Sequence, residues 1–325
     1  LQALLERGLP YYRKQGLLQP GPATFIVKAE RSDTPLHFPG KVLADEAGNR
    51  LFIADSNHNR IVVTDLDGKL LTTIGTGQIG RNDGAFDSAT FDHPQGMALN
   101  GEVLYVADTA NHLIRSVDLA AESVTTLAGT GEQADAFVGH VPVRRAGGPL
   151  LKTALSSPWA LWVHGDHLYI AMAGPHQIWR MPLDGSRIGP YAGNGREDIV
   201  DGLLLPRSLS AQGYSSFAQP SGLASDGTQL FVADSEGSAI RAVPFHARGR
   251  VTTIVGVLGS LFDYGDVDGV FPDVRLQHPL GVVFHKGKLY VADTYNNKIK
   301  VIDPAARSCY TLAGAGQTGR EDADN

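Results

Sequence analysis

The chain has a single cysteine, Cys309. An internal disulfide, a zinc site built on cysteines and a Cys-x-x-Cys redox centre are therefore excluded. No run approaches the ~18 to 20 uninterrupted apolar residues of a membrane helix. An excess of base is missing too: 28 Lys and Arg stand against 34 Asp and Glu, a net charge of −6. Phosphate backbones are gripped by clustered cations, and the longest basic feature is Arg144–Arg145 with Lys152 nearby, so nucleic acid is not the expected partner. There is no Ser-His-Asp elbow. The glycine-rich GTGQIG, from Gly75 to Gly80, ends a strand and leads into no helix, which rules out a phosphate loop. The chain opens on Leu1 without a signal sequence, and is expected to be a piece of a longer protein.

What is present points to short strands. Apolar residues make up 42% and charged residues 19%, a globular balance. Glycine is abundant at 38 residues, roughly 12% against a usual ~7%, and has no collagen period, which implies many tight turns. One unit recurs five times: a proline, an apolar strand, a second strand ending "Val-Ala-Asp" or similar, a third strand, and a fourth ending in glycine. Pro39, Pro94, Pro158, Pro220 and Pro279 mark the register, 55, 64, 62 and 59 residues apart. Each unit holds about four runs rich in Val, Ile, Leu, Thr and Tyr, bounded by Gly, Asp and Asn. Four strands per unit, repeated radially, predict an all-β propeller. The tail GQTGREDADN repeats GQIGRNDGAF, the connection after the first unit, so six blades are expected, the sixth incomplete.

Individual residues then take physical roles. Gly96, Gly222 and Gly281, two after the proline, are expected where blades crowd a central channel. Asp55, Asp108, Asp234 and Asp293 end the second strand and read as turn caps, joined in that work by Asn59, Asn111 and Asn296. The Asp-Gly pairs at Asp83, Asp201 and Asp268 read as turns in separate connections, too far apart for one calcium site. Leu1, Leu4, Leu5, Leu9 and Tyr12 recur at helical spacing, giving a short helix and linker over residues 1–22, with the propeller over 23–325. Thr24 to Val27 is one more short strand, suited to closing a blade.

The segments FPGKVLAD, FIADSNHNRI, ADTANHLIR, IAMAGPHQIW, FVADSEGSAIR and LQHPLGV, between Phe38 and Val282, resemble NHL repeats. The set is similar to the propeller of the thioredoxin-like, NHL-repeat-containing proteins, with IAMAGPHQIW, where Met172 replaces the turn aspartate, the distinctive segment. The resemblance implies a six-bladed NHL propeller and makes Leu1 to Gly16 the last helix of a thioredoxin-like domain. It implies a protein- or peptide-binding scaffold working beside that domain, with no redox centre in this chain. A cytoplasmic location and no cofactor complete the expectation.

Candidate chemistry lies at the channel mouth. The residues before the five prolines, Phe38, His93, Ser157, Gln219 and His278, should ring it. Gln95 and Trp159, just after their prolines, join His93, Gln219 and His278 as candidate ligand- or partner-binding residues. Two histidines fall short of a three-ligand catalytic zinc, so no metal or catalytic residue is assigned. Amidating lyases, propellers resembling NHL proteins, place zinc-binding histidines just after such prolines. Here Gly40, Gln95, Trp159, Ser221 and Leu280 stand there. The competing reading is an enzyme, a lyase or hydrolase, using His93, Gln219 and His278. His58, His112 and His176 read as solvated or turn-bonded histidines near the outer part of the blades.

Overall fold

Short apolar runs become strands here because β-branched and aromatic side chains fill a pleated surface, while Gly, Asp and Asn turn the chain between them. The computed structural model describes residues 10–11, 13–16, 34–134, 137–138, 141–142, 147–205 and 213–316. It divides into two units, Leu1–Pro35 and Leu36–Asn325. In the first, Pro10, Tyr11, Arg13 and Lys14 are helical, and the Gln15 N–H donates to the Tyr11 carbonyl at 3.1 Å. The rest of the expected helix and linker over 1–22, and the strand from Thr24 to Val27, lie outside the described residues.

The second unit is a β-propeller of five blades, each a four-stranded antiparallel meander. Blade 1 is Lys41–Asp45, Arg50–Asp55, Arg60–Thr64 and Leu70–Ile74. Blade 2 is Pro94–Asn100, Val103–Asp108, Leu113–Asp118 and Ser123–Ala128. Blade 3 is Pro158–His164, His167–Met172, Gln177–Pro182 and Gly189–Ala192. Blade 4 is Pro220–Ser225, Gln229–Asp234, Ala239–Pro244 and Arg250–Val255. Blade 5 is Pro279–His285, Lys288–Asp293, Lys298–Asp303 and Ser308–Ala313. In blades 2, 4 and 5 the incoming connection adds a two-residue strand outside the fourth: Gly84–Ala85, Gly202–Leu203 and Gly269–Val270.

The two-residue period of a strand gives each blade two apolar faces, one for each neighbour. On the second strand of blade 2, Leu104 and Val106 pack toward Phe52, Ile61 and Ile74 of blade 1. The alternate residues Tyr105 and Ala107 pack toward Ile170 and Trp179 of blade 3. Tyr169 and Ile178 meet Val232 and Val243 between blades 3 and 4, and Phe231 and Ile240 meet Leu289 and Ile302 between blades 4 and 5. The first strands lie at the crowded centre. A Cβ on Gly96 would stand 2.5 Å from the Ala160 Cα, and one on Gly222 2.9 Å from the Leu280 carbonyl oxygen.

Five blades thus share four cores. No fifth core joins blades 5 and 1 among the described residues. Val42 of blade 1 is 63% exposed, and Val283, Tyr310 and Leu312 of blade 5 are 53–55% exposed. Lys41 of blade 1 instead sends its ammonium to the Leu280 carbonyl of blade 5. The sixth blade expected from the GQTGRED tail falls on residues 317–325, outside the described residues.

The second-strand aspartates do more than cap a turn. In each of four blades one carboxylate oxygen accepts the N–H of the segment leading into that blade's first strand: His37 to Asp55, Asp92 to Asp108, Ala218 to Asp234 and Gln277 to Asp293, all at 2.7–2.8 Å. The other oxygen meets a cation. Arg115 and Arg241, fully buried, each bond that aspartate at 2.9 Å with one nitrogen. With the other nitrogen they bond Asp83 at 2.9 Å and Asp201 at 3.0 Å. Lys300 does the same in blade 5, bonding Asp268 at 2.9 Å and lying 3.8 Å from Asp293. The Asp-Gly loops read as turns are therefore also the second acid of a buried ion network. Asp201 and Asp268 further accept the N–H of Thr253 and Thr311, and Asp83 the hydroxyl of Thr126, which fastens each connection to a fourth strand.

Burial works against these carboxylates. It pushes Asp108 up to about 6 and Asp234 up to about 7 despite the guanidinium beside each. Blade 3 dispenses with the network: Met172 replaces the aspartate and Trp179, fully buried, replaces the cation. The Trp179 indole N–H donates to Gln177 Oε1 at 3.0 Å, and the Gln177 amide donates to the Gly193 carbonyl at 2.9 Å.

Two stability measurements follow. Trp179→Ala, a large truncation in a sealed core, should cost about 3 to 5 kcal/mol in denaturant unfolding. An unchanged melt would mean that the indole does not pack there. Arg241→Ala strands two acids, one of them fully buried, and should cost about 3 to 5 kcal/mol. A loss below ~1 kcal/mol, the size of a surface pair, would contradict the buried network.

Candidate functional site

The residues expected to ring the channel mouth share one repeated turn. The residue before each proline is left-handed in every blade: Phe38, His93, Ser157, Gln219 and His278 have φ of 48, 49, 50, 55 and 49°. So is the residue four after the second strand's end: Asn59, His112, His176, Ser238 and Asn297, with φ of 46–54°. These conformations are unfavourable for side chains with a Cβ and persist where surroundings fix them. At four junctions a hydrogen bond between neighbouring blades joins the two left-handed residues. The pre-proline N–H donates to the preceding blade's turn side chain. His93 donates to Asn59 Oδ1 at 3.1 Å, Ser157 to His112 Nδ1 at 3.1 Å, Gln219 to His176 Nδ1 at 3.2 Å and His278 to Ser238 Oγ at 3.4 Å. A second latch lies beside it where a hydroxyl is available. Ser56 donates to the Pro94 carbonyl at 2.7 Å and Thr109 to the Pro158 carbonyl at 2.6 Å.

The candidate residues sit on this frame. His93 is exposed and its Nδ1 lies 2.6 Å from Asp92 Oδ1. Gln95 is half-buried, its amide oxygen occupying the space that a side chain on Gly40 would need. Trp159 is half-buried, its carbonyl 2.7 Å from a Cβ built on Gly96. Gln219 is exposed. His278 is half-buried, its Nε2 2.9 Å from Glu236 Oε2, its ring stacked on Tyr295 at 4.1 Å, and its Nδ1 buried without a hydrogen-bond partner. His93 and Gln95 belong to blade 2, Trp159 to blade 3, Gln219 to blade 4 and His278 to blade 5. Among the described residues no hydrogen bond, ion pair or ring contact joins any two of His93, Gln219 and His278, and no group of three His, Cys, Asp or Glu is arranged to hold a metal.

Of the two readings of the turn histidines, the bonded one holds. His112 and His176 are the acceptors that hold blades 3 and 4 to their predecessors. His58 turns inward to Asp55, its Nδ1 2.8 Å from Oδ2. The turn asparagines divide their work. Asn111 and Asn296 donate to the aspartate three before them and to the Gly80 and Gly265 carbonyls, whereas Asn59 is a latch. Cys309 is buried in the fourth strand of blade 5, and burial pushes its thiol up to about 12, which leaves it inert.

The chain matches no family profile. It is similar to NHL repeat-containing protein 2 of Gallus gallus, 41% identical over 340 residues, 95% of this chain and 44% of that protein. NHL repeat-containing protein 2 of Homo sapiens is 41% identical, covering 95% and 45%. Protein SUPPRESSOR OF QUENCHING 1, chloroplastic, of Arabidopsis thaliana is 41% identical over 99% of this chain and 31% of that protein. The chain thus spans under half the length of these curated relatives. Among solved structures, a chain of a nidogen–laminin complex superposes with a TM-score of 0.56 at 17% identity, covering 84% of this chain and 79% of its own. A streptogramin B lyase superposes at 0.52 and 11% identity, covering 87% and 71%. At those identities the likeness is of fold alone.

The histidine latches make the ring sensitive to pH. Burial pulls His112 and His176 below the ordinary 6.5, against the upward pull of Asp92 and Glu132 on the first and of Glu197 and Glu236 on the second. The folded state thus favours the neutral ring, whose Nδ1 can accept. That contribution is complete above 6.5 and is lost as pH falls through the lowered value. Over the same range protonation of buried Asp108 and Asp234 acts the other way, so the latch is read as a difference between proteins. His112→Asn with His176→Asn, which installs the residue blade 1 uses at Asn59, should gain melting temperature relative to the wild type as pH falls from 7.5 to 5. A double variant whose pH profile parallels the wild type would show that the latches do not titrate.

Proposed function

Because the chain belongs, over the span it covers, to the NHL-repeat β-propellers, we propose that it is a non-catalytic scaffold binding a protein or peptide at the channel mouth. In the intact protein it works beside a thioredoxin-like domain. The observation that carries this reading is that the turn histidines beside the pre-proline residues are committed to holding neighbouring blades together. His112 and His176 accept backbone amides, and His93 and His278 pair with Asp92 and Glu236. The result is a rigid rim of latched turns that presents exposed His93, Gln219 and Phe38, with half-buried Gln95, Trp159 and His278 among them. Rigid loops carrying exposed polar and aromatic side chains suit macromolecular contact. No described helix is long and apolar enough to cross a membrane. A cytoplasmic location accords with one reduced, buried thiol, although the plant relative carries a chloroplast name. A phosphate-rich partner is disfavoured by the net charge of −6.

Affinity capture with the intact protein tests this reading. Partners recovered by the wild type should be lost with Gln95→Ala, Trp159→Ala and Gln219→Ala together. Metal analysis of the same preparation tests the competing enzyme. A stoichiometric transition metal lost on His93→Ala and His278→Ala would overturn the scaffold.

A further inference from the structure

The junction of blades 4 and 5 carries two side chains that the fold does not ask for. Two residues after the second strand's end, blades 1, 2 and 3 place Asn57, Ala110 and Gly174. Blade 4 places Glu236 there and blade 5 places Tyr295. That the position accepts alanine and glycine elsewhere shows that neither a carboxylate nor an aromatic ring is needed to close the turn. Both are brought to His278. Glu236 Oε2 lies 2.9 Å from its Nε2, and the Tyr295 ring stacks on the imidazole at 4.1 Å and 17°. Tyr264, from the connection between the two blades, meets the same imidazole edge-on at 6.4 Å. Stacking covers one Tyr295 face, yet the residue remains 60% exposed, and Tyr264 is 48% exposed.

The charge around this cluster is uneven. Asp263 and Asp266, in the same connection, are paired with Arg275 and Lys298. Glu236 has no lysine or arginine partner among the described residues, nor has exposed Glu197, the other carboxylate acting on His176. The Glu236 carboxylate, bonded to His278, thus lies beside the imidazole on which Tyr295 stacks and which Tyr264 meets edge-on. A cation over an aromatic face gains from the ring's quadrupole, and a neighbouring carboxylate adds charge pairing. Phe262, 88% exposed, and Leu258, 42% exposed, extend an apolar surface along the same connection.

We propose that this junction is the docking point for an arginine or lysine side chain of a protein partner, held over Tyr295 and Tyr264 and paired with Glu236. The apolar neighbours of that basic residue lie on Phe262 and Leu258. The inference rests on the reading of the mouth as a protein-binding rim and adds the chemistry of what it takes.

The test uses the full-length protein and a phage-displayed library of random decapeptides, with selected sequences resynthesised. The expected winners carry a basic residue. Replacing it by citrulline or acetyl-lysine should weaken binding about tenfold, and so should Tyr295→Ala or Glu236→Ala, which install the alanine of blade 2. Winners without a basic residue would overturn the assignment. So would winners that bind both variants as tightly as the wild type. In either case, loss of binding with Trp159→Ala would leave the rim standing as the binding surface. Recovery of no peptide by a folded protein would overturn the rim and the docking point together.

Discussion

The hydrogen bond from a pre-proline amide to the preceding blade's turn is the constraint on which the ring depends. A blade is a flat meander whose two faces could pack on a neighbour at many angles. The latch removes that freedom. It joins a backbone donor at the head of one first strand to a side-chain acceptor four residues past the end of the previous blade's second strand. Both residues are held left-handed, and proline then fixes the direction in which the strand leaves. A single such bond is worth only about 0.5 to 1.5 kcal/mol net. Its effect is geometric: at each of four junctions it sets the register in which the apolar faces of the two blades interlock.

The buried ion networks solve a different problem, within the blade. Each connection must be tied to the fourth strand, and each lead-in segment to the second. Arg115 and Arg241 do both, reaching one acid on either side and two backbone carbonyls. Each guanidinium also lies over a phenylalanine, Phe91 or Phe217, at 5.2 and 5.3 Å. Blade 3 shows that charge is not the essential ingredient. Met172 and Trp179 fill the volume of aspartate and arginine, and Gln177 supplies the polar link to the fourth strand. A buried pair with this much burial acting on its carboxylates is close to exchangeable with a well-packed apolar one, whereas half a pair is not.

Much of the fold was legible because it repeats in residue type. The prolines, the Ala-Asp strand ends and the small residues at the centre recur in register, and the five repeats of four strands are the five blades described, while the expected sixth lies outside the described residues. The latch was not legible, because it repeats in geometry and not in chemistry. Its acceptors are Asn59, His112, His176 and Ser238, and the donor is a backbone amide that any residue carries. Two of those acceptors, being histidines on a loop, read as solvated or bonded within their own turn, with nothing to point to a partner in the next blade. The acid in each Asp-Gly connection was hidden for the opposite reason. Asp-Gly is so good a turn signal that the carboxylate seemed already explained. The equivalence of the five pre-proline residues was visible in the proline register, but the Glu236–His278–Tyr295 stack was not. It needs two neighbouring blades to place unlike residues at one repeat position, a difference that aligning the repeats for their similarity passes over.

The junction of blades 5 and 1 shows the same physics in relief. At the crowded innermost position four blades carry Gly96, Ala160, Gly222 and Gly281, and blade 1 carries Lys41. At Gly222 the next blade's carbonyl stands where a Cβ would go, whereas at Gly281 the nearest atom is 3.4 Å away and belongs to its own sheet. The space that admits a long side chain is therefore on this side of the ring. Lys41 uses it to reach the Leu280 carbonyl, and the loss of water pulls its ammonium down to about 8. Among the described residues that polar thread joins two blades whose apolar rows, Val42 on one side and Val283, Tyr310 and Leu312 on the other, share no core. Where the next blade's backbone crowds the innermost position the chain keeps glycine or alanine, and where it does not, a long side chain takes the room.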